Sequence, residues 1–122
     1  MLLGLRTVVY HVDDLDRAKE WYTAFTGAAP YFDQPFYVGF NVGGYELGLD
    51  PDTSGIEKGN NETAYWGVAD IESSFEKIKA SGAEVVSEIM DVGEGVKVAS
   101  VKDPFGNVVG IIENSNFKLS EN

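Results

Sequence analysis

The stretch Thr7-Val8-Val9-Tyr10-His11-Val12-Asp13-Asp14-Leu15-Asp16-Arg17-Ala18-Lys19-Glu20-Trp21-Tyr22 changes its apolar period halfway along. Up to Val12 it alternates as a strand, with Val8, Tyr10 and Val12 on one face and Thr7, Val9 and His11 on the other. Asp13 or Asp14 then offers an oxygen to the free amides of a helix start. Leu15, Ala18, Trp21, Tyr22 and Phe25 recur at helical spacing until Gly27. The same pattern returns at Thr63: Val12 matches Val68, Asp14 matches Asp70, Leu15 matches Ile71 and Asp16 matches Glu72. Thr63 to Val68 is the second opening strand, Asp70 the N-cap, and Ile71, Ser74, Phe75 and Ile78 the buried stripe of a helix ending near Gly82. One architectural unit is used twice.

Outward from these openings, Phe36 to Val42 and Tyr45 to Leu49 form a hairpin about Gly43-Gly44. Alternation sets Tyr45, Leu47 and Leu49 against Glu46, Gly48 and Asp50, so the polar and glycine positions share a side where small residues leave room above the sheet. In the second unit Ala83 to Met90 is a strand, Asp91 to Gly95 a turn and Val96 to Val101 a strand. Asp103-Pro104-Phe105-Gly106-Asn107 then reverses the chain into a last strand, Val108 to Glu113. Unit one spans 5–50, a polar linker 51–62, unit two 63–114 and a fraying tail 115–122, all within a single domain, 1–122. Asp14 and Asp70 are caps rather than acids, and Asp103 to Asn107 are turn formers with no assigned chemistry.

The 43% hydrophobic and 24% charged content is that of a globular chain, and a chain of this length buries a real core. Nine basic against twenty acidic residues leave a formal charge of -11, which repels phosphate backbones and anionic lipid. Nucleic acid and membrane are therefore not expected partners, whereas a cation is drawn in by the same field. With no cysteine there is no disulfide framework, thiolate nucleophile or thiolate metal site. The opening residues lack the run of a leader, and a cytoplasmic protein is expected.

Strand-helix-strand-strand-strand twice over, the Val12 to Tyr22 opening and the Asp103 to Asn107 turn together resemble the vicinal oxygen chelate superfamily of glyoxalases, extradiol dioxygenases and bleomycin-resistance proteins. The resemblance covers about residues 5 to 114. It implies an α+β fold of two tandem βαβββ units, with curved mixed sheets around a cup-shaped cavity and helices on the outer face. It also implies a homodimer and, in the metal enzymes, a divalent ion held from four strand positions, which here are Thr7, Glu46, Thr63 and Gly110. Only Glu46 is a ligand type. A catalytic ion wants three or four His, Glu or Gln donors. His11 stands four residues beyond the expected position, too far along a strand to replace Thr7.

The expectation is therefore a small-molecule binder without a cofactor, closest in character to a bleomycin-resistance type, taking a cationic or aromatic organic compound. His11, Glu46 and Tyr65 are its leading contacts, with Thr7, Val9, Gly48, Thr63 and Gly110 beside them. His11 shares the Thr7 and Val9 face and suits either ligand contact or a proton shuttle. Glu46 attracts an amine, a guanidinium or a metal. Tyr31, Phe32, Phe36, Tyr37, Phe40, Tyr65 and Trp66 supply aromatic surface, of which Tyr65 falls on the cup side and Trp66 on the helix side. The alternatives are a metal-dependent or His11-assisted lyase, isomerase or dioxygenase, and a homodimeric partner-binding module.

Overall fold

A computed structural model describes residues 3–59 and 62–117. The chain divides into two compact units, Met1–Lys58 and Gly59–Asn122. The first runs β1 (Thr7–His11), α1 (Leu15–Thr26), β2 (Phe32–Gln34), β3 (Tyr37–Val42) and β4 (Tyr45–Asp50). The second runs β5 (Ala64–Gly67), α2 (Ile71–Ala80), β6 (Glu84–Gly93), β7 (Val96–Lys102) and β8 (Val108–Asn114). Each is a βαβββ unit with one mixed four-stranded sheet, ordered β1-β4-β3-β2 and β5-β8-β7-β6. In both, the opening strand lies parallel to the closing one, and the remaining neighbours are antiparallel.

The helices begin where capping chemistry places them. Asp14 accepts from Arg17 N at 3.1 Å and Asp70 from Ser73 N at 3.3 Å, each satisfying an amide that has no partner inside its own helix. In unit one, Ala18 and Tyr22 of α1 turn inward, and the Tyr22 ring lies 5.8 Å from that of Tyr10 on β1. Register carries the same face across the sheet, since Tyr10 pairs with Leu49, Leu49 with Val38 and Leu47 with Phe40. Those side chains are all buried, and Phe40, Leu47 and Leu49 are completely so. The direction of the 36–42 stretch follows: Val38 and Phe40 face the helix, whereas Phe36 precedes the strand and is exposed. In unit two, Ile71, Phe75 and Ile78 of α2 are buried, with Ala99, Val101, Val109 and Ile111 forming the core side of the sheet.

Several expected boundaries shift. The three residues Phe32–Gln34 form a strand that their composition does not announce, because it is an edge strand held by Gly39, Val38 and Tyr37 of β3. Asp91 to Gly93 belong to β6, not to the following turn, because register shifts along the β6–β7 ladder absorb their irregular pattern. Thr63 lies just ahead of β5. Residues 118–120 and 121–122 of the expected tail, and 60 and 61 of the linker, lie outside the described residues. Among the described residues no helix is long and apolar enough to cross a membrane.

Candidate functional site

In unit one the sheet face away from α1 carries Thr7, Val9 and His11 on β1. Beside them stand Glu46, Gly48 and Asp50 on β4, paired in that order. Tyr37 and Gly39 of β3 and Phe32 of β2 continue the same face. The alternation read from the sequence therefore places five of the expected contacts together.

The centre of this face is the Glu46 carboxylate. Its Oε1 accepts from the Thr7 hydroxyl at 3.2 Å and from the Tyr37 hydroxyl at 2.9 Å, and its Oε2 accepts from the Tyr31 hydroxyl. Hydrogen bonds to an anion favour its charged form. Tyr31 first, with Tyr37 and Thr7, holds the Glu46 carboxyl below its ordinary value although burial opposes this. The converse holds for the donors. Glu46 keeps the Tyr31 phenol protonated beyond its usual range, while burial and then Glu46 push Tyr37 up to about 12.

The room expected above Gly48 is taken. A Cβ built there would overlap the Tyr37 hydroxyl and stand 2.5 Å from its Cζ. One at Gly39 would stand 3.1 Å from Tyr31 Cε1 and 3.2 Å from Glu46 Oε2. The two glycines thus let two phenols lie close over the strands and reach the carboxylate. In the sequence Tyr31 and Tyr37 show only as aromatic surface. The available signal for their role was a glycine on each of two neighbouring strands, and it needs the strand register to be read.

Because Tyr37 ionises near 10 when unfolded and only at about 12 in place, its contribution to stability is complete below pH 10 and is lost as pH rises towards 12. In Tyr37→Phe the alkaline fall in melting temperature across that interval is expected to be shallower than in the parent. Equal slopes in the two proteins would contradict the assignment.

His11 stands apart from this carboxylate. It pairs with Asp50, four positions along from the Thr7–Glu46 pair, or about 13 Å at strand rise. Its Nδ1 lies 2.7 Å from the Asp52 carbonyl, and a carbonyl only accepts, so Nδ1 carries the proton. Asp50 in turn accepts from Asp52 N at 2.8 Å, and Lys58 Nζ donates to the His11 carbonyl, so the segment after β4 is stitched over the end of β1.

In unit two, Tyr65 pairs with Gly110 on the face away from α2. Tyr65 is half exposed, and a Cβ at position 110 would stand 2.5 Å from its Cδ1 and 2.9 Å from the Thr63 methyl. The three residues expected from this unit thus meet, with an aromatic ring and a methyl group where a side chain at 110 would project. A separate convergence that the sequence did not suggest joins Asp70, Glu72 and Glu113, whose ligand atoms lie within 4.8 Å of one another. Among the described residues it is the one such group of His, Asp or Glu. Each member already has a partner. Asp70 caps α2, Glu113 Oε1 accepts from Ile71 N at 3.0 Å, and Lys97 Nζ pairs with Glu72 at 3.2 Å. Asp103 is also occupied: its Oδ1 accepts from the amides of Phe105 and Asn107 and its Oδ2 from the Asn107 side chain.

Residues 4–111 match the family model described as Glyoxalase/Bleomycin resistance protein/Dioxygenase superfamily. No curated protein sequence matches the chain. Among solved structures, the fosfomycin resistance protein FosX from Listeria monocytogenes, complexed with Mn(II) and sulfate, superposes with a TM-score of 0.80 at 17% identity, covering 95% of this chain and 94% of that one. A lactoylglutathione lyase from Agrobacterium tumefaciens gives 0.76 at 18% identity over 97% and 100% of the two chains. TioX from Micromonospora sp. ML1 gives 0.72 at 19% over 91% and 98%. These likenesses establish the fold. Through the family match over nearly its whole length, the chain belongs to the glyoxalase/bleomycin resistance protein/dioxygenase superfamily.

Proposed function

We propose that this protein binds a small cationic or aromatic organic molecule without a divalent ion, holding it on the unit-one face built from Glu46, Thr7, Val9, Gly48 and His11. Within unit two, Tyr65, Thr63 and Gly110 lie together on the face away from α2. The observation that carries the proposal is the hydroxyl shell of Glu46. A divalent ion is held by several oxygen or nitrogen donors that exchange for its water. The carboxylate at the one ligand-type position already accepts from Thr7, Tyr31 and Tyr37, which takes three of its about four lone-pair positions. Its neighbour Thr7 is a hydroxyl, and positions 63 and 110 offer a hydroxyl and no side chain. This donor set does not fit the ion. The aromatic surface around an ionised carboxylate suits an organic ligand instead.

A metal-dependent enzyme is the second reading, favoured by the likeness to FosX in complex with Mn(II) and to the lactoylglutathione lyase. The two readings separate in a melting experiment on chelator-treated protein and on Glu46→Ala. Zinc, nickel, manganese and iron(II) are each added back, and a panel of cationic and aromatic compounds is screened in parallel. A ligand present at one hundred times its dissociation constant raises stability by about 2.7 kcal/mol. The expected result is a rise with a compound of the panel, reduced in Glu46→Ala, and none with the metals. A metal-induced rise in the parent that disappears in Glu46→Ala would establish the enzyme reading in its place.

A further inference from the structure

The oxygen atoms gathered at Glu46 come from across the unit-one sheet: Thr7 from β1, Tyr31 from the approach to β2, Tyr37 from β3 and Glu46 itself from β4. None of the three hydroxyl oxygens lies more than 3.2 Å from the carboxylate. An ionised carboxylate has no proton to give, so in each contact the hydroxyl donates inward. A hydroxyl has a single proton. Once that proton is committed to Glu46, the lone pairs left on the oxygen can only accept, and polarisation by the anion strengthens them as acceptors. Carboxylate and hydroxyls together therefore form a cluster of acceptors with no donor left over. Thr7 and Tyr31 are exposed and Tyr37 and Glu46 are half-buried, so the cluster faces solution.

The charge at its centre is unanswered. Among the described residues no Lys, Arg or His forms an ion pair with Glu46. What lowers its proton affinity is Tyr31 first, then Tyr37 and Thr7, and all three are neutral groups. Asn41 stands opposite Glu46 across the β3–β4 ladder but is drawn to the hairpin turn, where its Oδ1 accepts from Gly44 N at 3.0 Å.

We infer that the ligand this face selects is an organic cation rich in N–H, a guanidinium or a primary ammonium, whose protons meet the outward lone pairs of Thr7, Tyr31 and Tyr37 while its charge balances Glu46. The inference rests on the small-molecule reading above and narrows its ligand to one class. An anion would set lone pairs against lone pairs. A quaternary ammonium answers the charge but displaces water from acceptors that it cannot satisfy, and a neutral donor does the reverse. A protonated nitrogen that bears several hydrogens does both, through charge-assisted bonds about twice as strong as neutral ones.

The test is a nuclear magnetic resonance titration of the full chain with three probes that share a benzyl group. Benzylguanidinium carries charge and donors, benzyltrimethylammonium charge alone and benzylurea donors alone. Benzylguanidinium is expected to bind saturably, shifting the Thr7 methyl and the Tyr31 and Tyr37 ring signals, about tenfold more tightly than either other probe. In Glu46→Gln the charge is lost and the new amide lets the hydroxyls turn outward as donors, so the preference over the quaternary probe is expected to fall to about twofold or less. The comparison of probes on the parent decides the matter whether or not that variant folds. Benzyltrimethylammonium binding as tightly as benzylguanidinium would overturn the need for donors, and benzylurea binding as tightly would overturn the need for charge. A preference that survives in folded Glu46→Gln, or no saturable shift at these three residues with any probe, would overturn the assignment to this cluster. Each of those results leaves the small-molecule proposal standing, which fails only if the wider melting screen finds no ligand.

Discussion

Asp103→Ala is expected to destabilise the protein by roughly 2–4 kcal/mol, lowering the melting temperature by about 10 °C. The carboxylate is buried, at 4% exposure, so its hydrogen bonds are made away from water. Its Oδ1 collects the Phe105 amide at 2.9 Å and the Asn107 amide at 2.8 Å, and its Oδ2 takes the Asn107 side chain at 2.9 Å. The backbone closes the same loop, with Asp103 N donating to the Asn107 carbonyl at 2.9 Å. Removing the carboxylate leaves three donors to find other partners in a turn that sets the β7–β8 register, and each donor left unmet costs about 1–3 kcal/mol. Asp103→Asn retains an oxygen for the two amides and should recover about half of the loss. Denaturant midpoints for the three proteins check this, and an alanine variant that unfolds with the parent would remove Asp103 from the fold's supports.

Phe40→Ala is expected to cost about 3–5 kcal/mol, the range for emptying a phenylalanine site in a packed core. Phe40 is completely buried on the helix side of β3, opposite Leu47, which is completely buried as well. A neighbouring strand cannot close over the void without breaking its ladder, so little of the cavity is recovered by collapse. Phe36→Ala is the control. The two residues share a strand parity, yet Phe36 is 66% exposed, so its loss should stay within about 0.5 kcal/mol. Urea unfolding of both variants with unchanged m-values would establish the contrast, and equal losses would refute the assignment of faces.

Much of the framework was legible because it is written locally. The strand-to-helix switch at Asp14 and again at Asp70 follows from periodicity and from an aspartate that reaches an amide three residues on, contacts that neighbours in sequence decide. The Asp103 to Asn107 reversal is equally local. The faces of β1 and β4 followed from alternation, and so did the grouping of Thr7, Val9, His11, Glu46 and Gly48. Alternation was silent for β2, which has only three residues, all exposed, and for the end of β6, where bulges break the period of two.

The sequence by itself determined that a βαβββ unit occurs twice, where each helix starts, and that a lone ligand-type residue, Glu46, stands at the expected positions. It did so because capping, periodicity and turn chemistry act over a few residues. Only the tertiary structure decided what surrounds Glu46. Tyr31 and Tyr37, 15 and 9 residues away, reach it because the β2–β3–β4 register sets Gly39 and Gly48 side by side beneath their rings. Strand pairing is a non-local choice, and a slip of one residue would turn both phenols to the other face. The carboxylate's charge was therefore legible in the chain, while the count of donors already spent on it came from the pairing of strands.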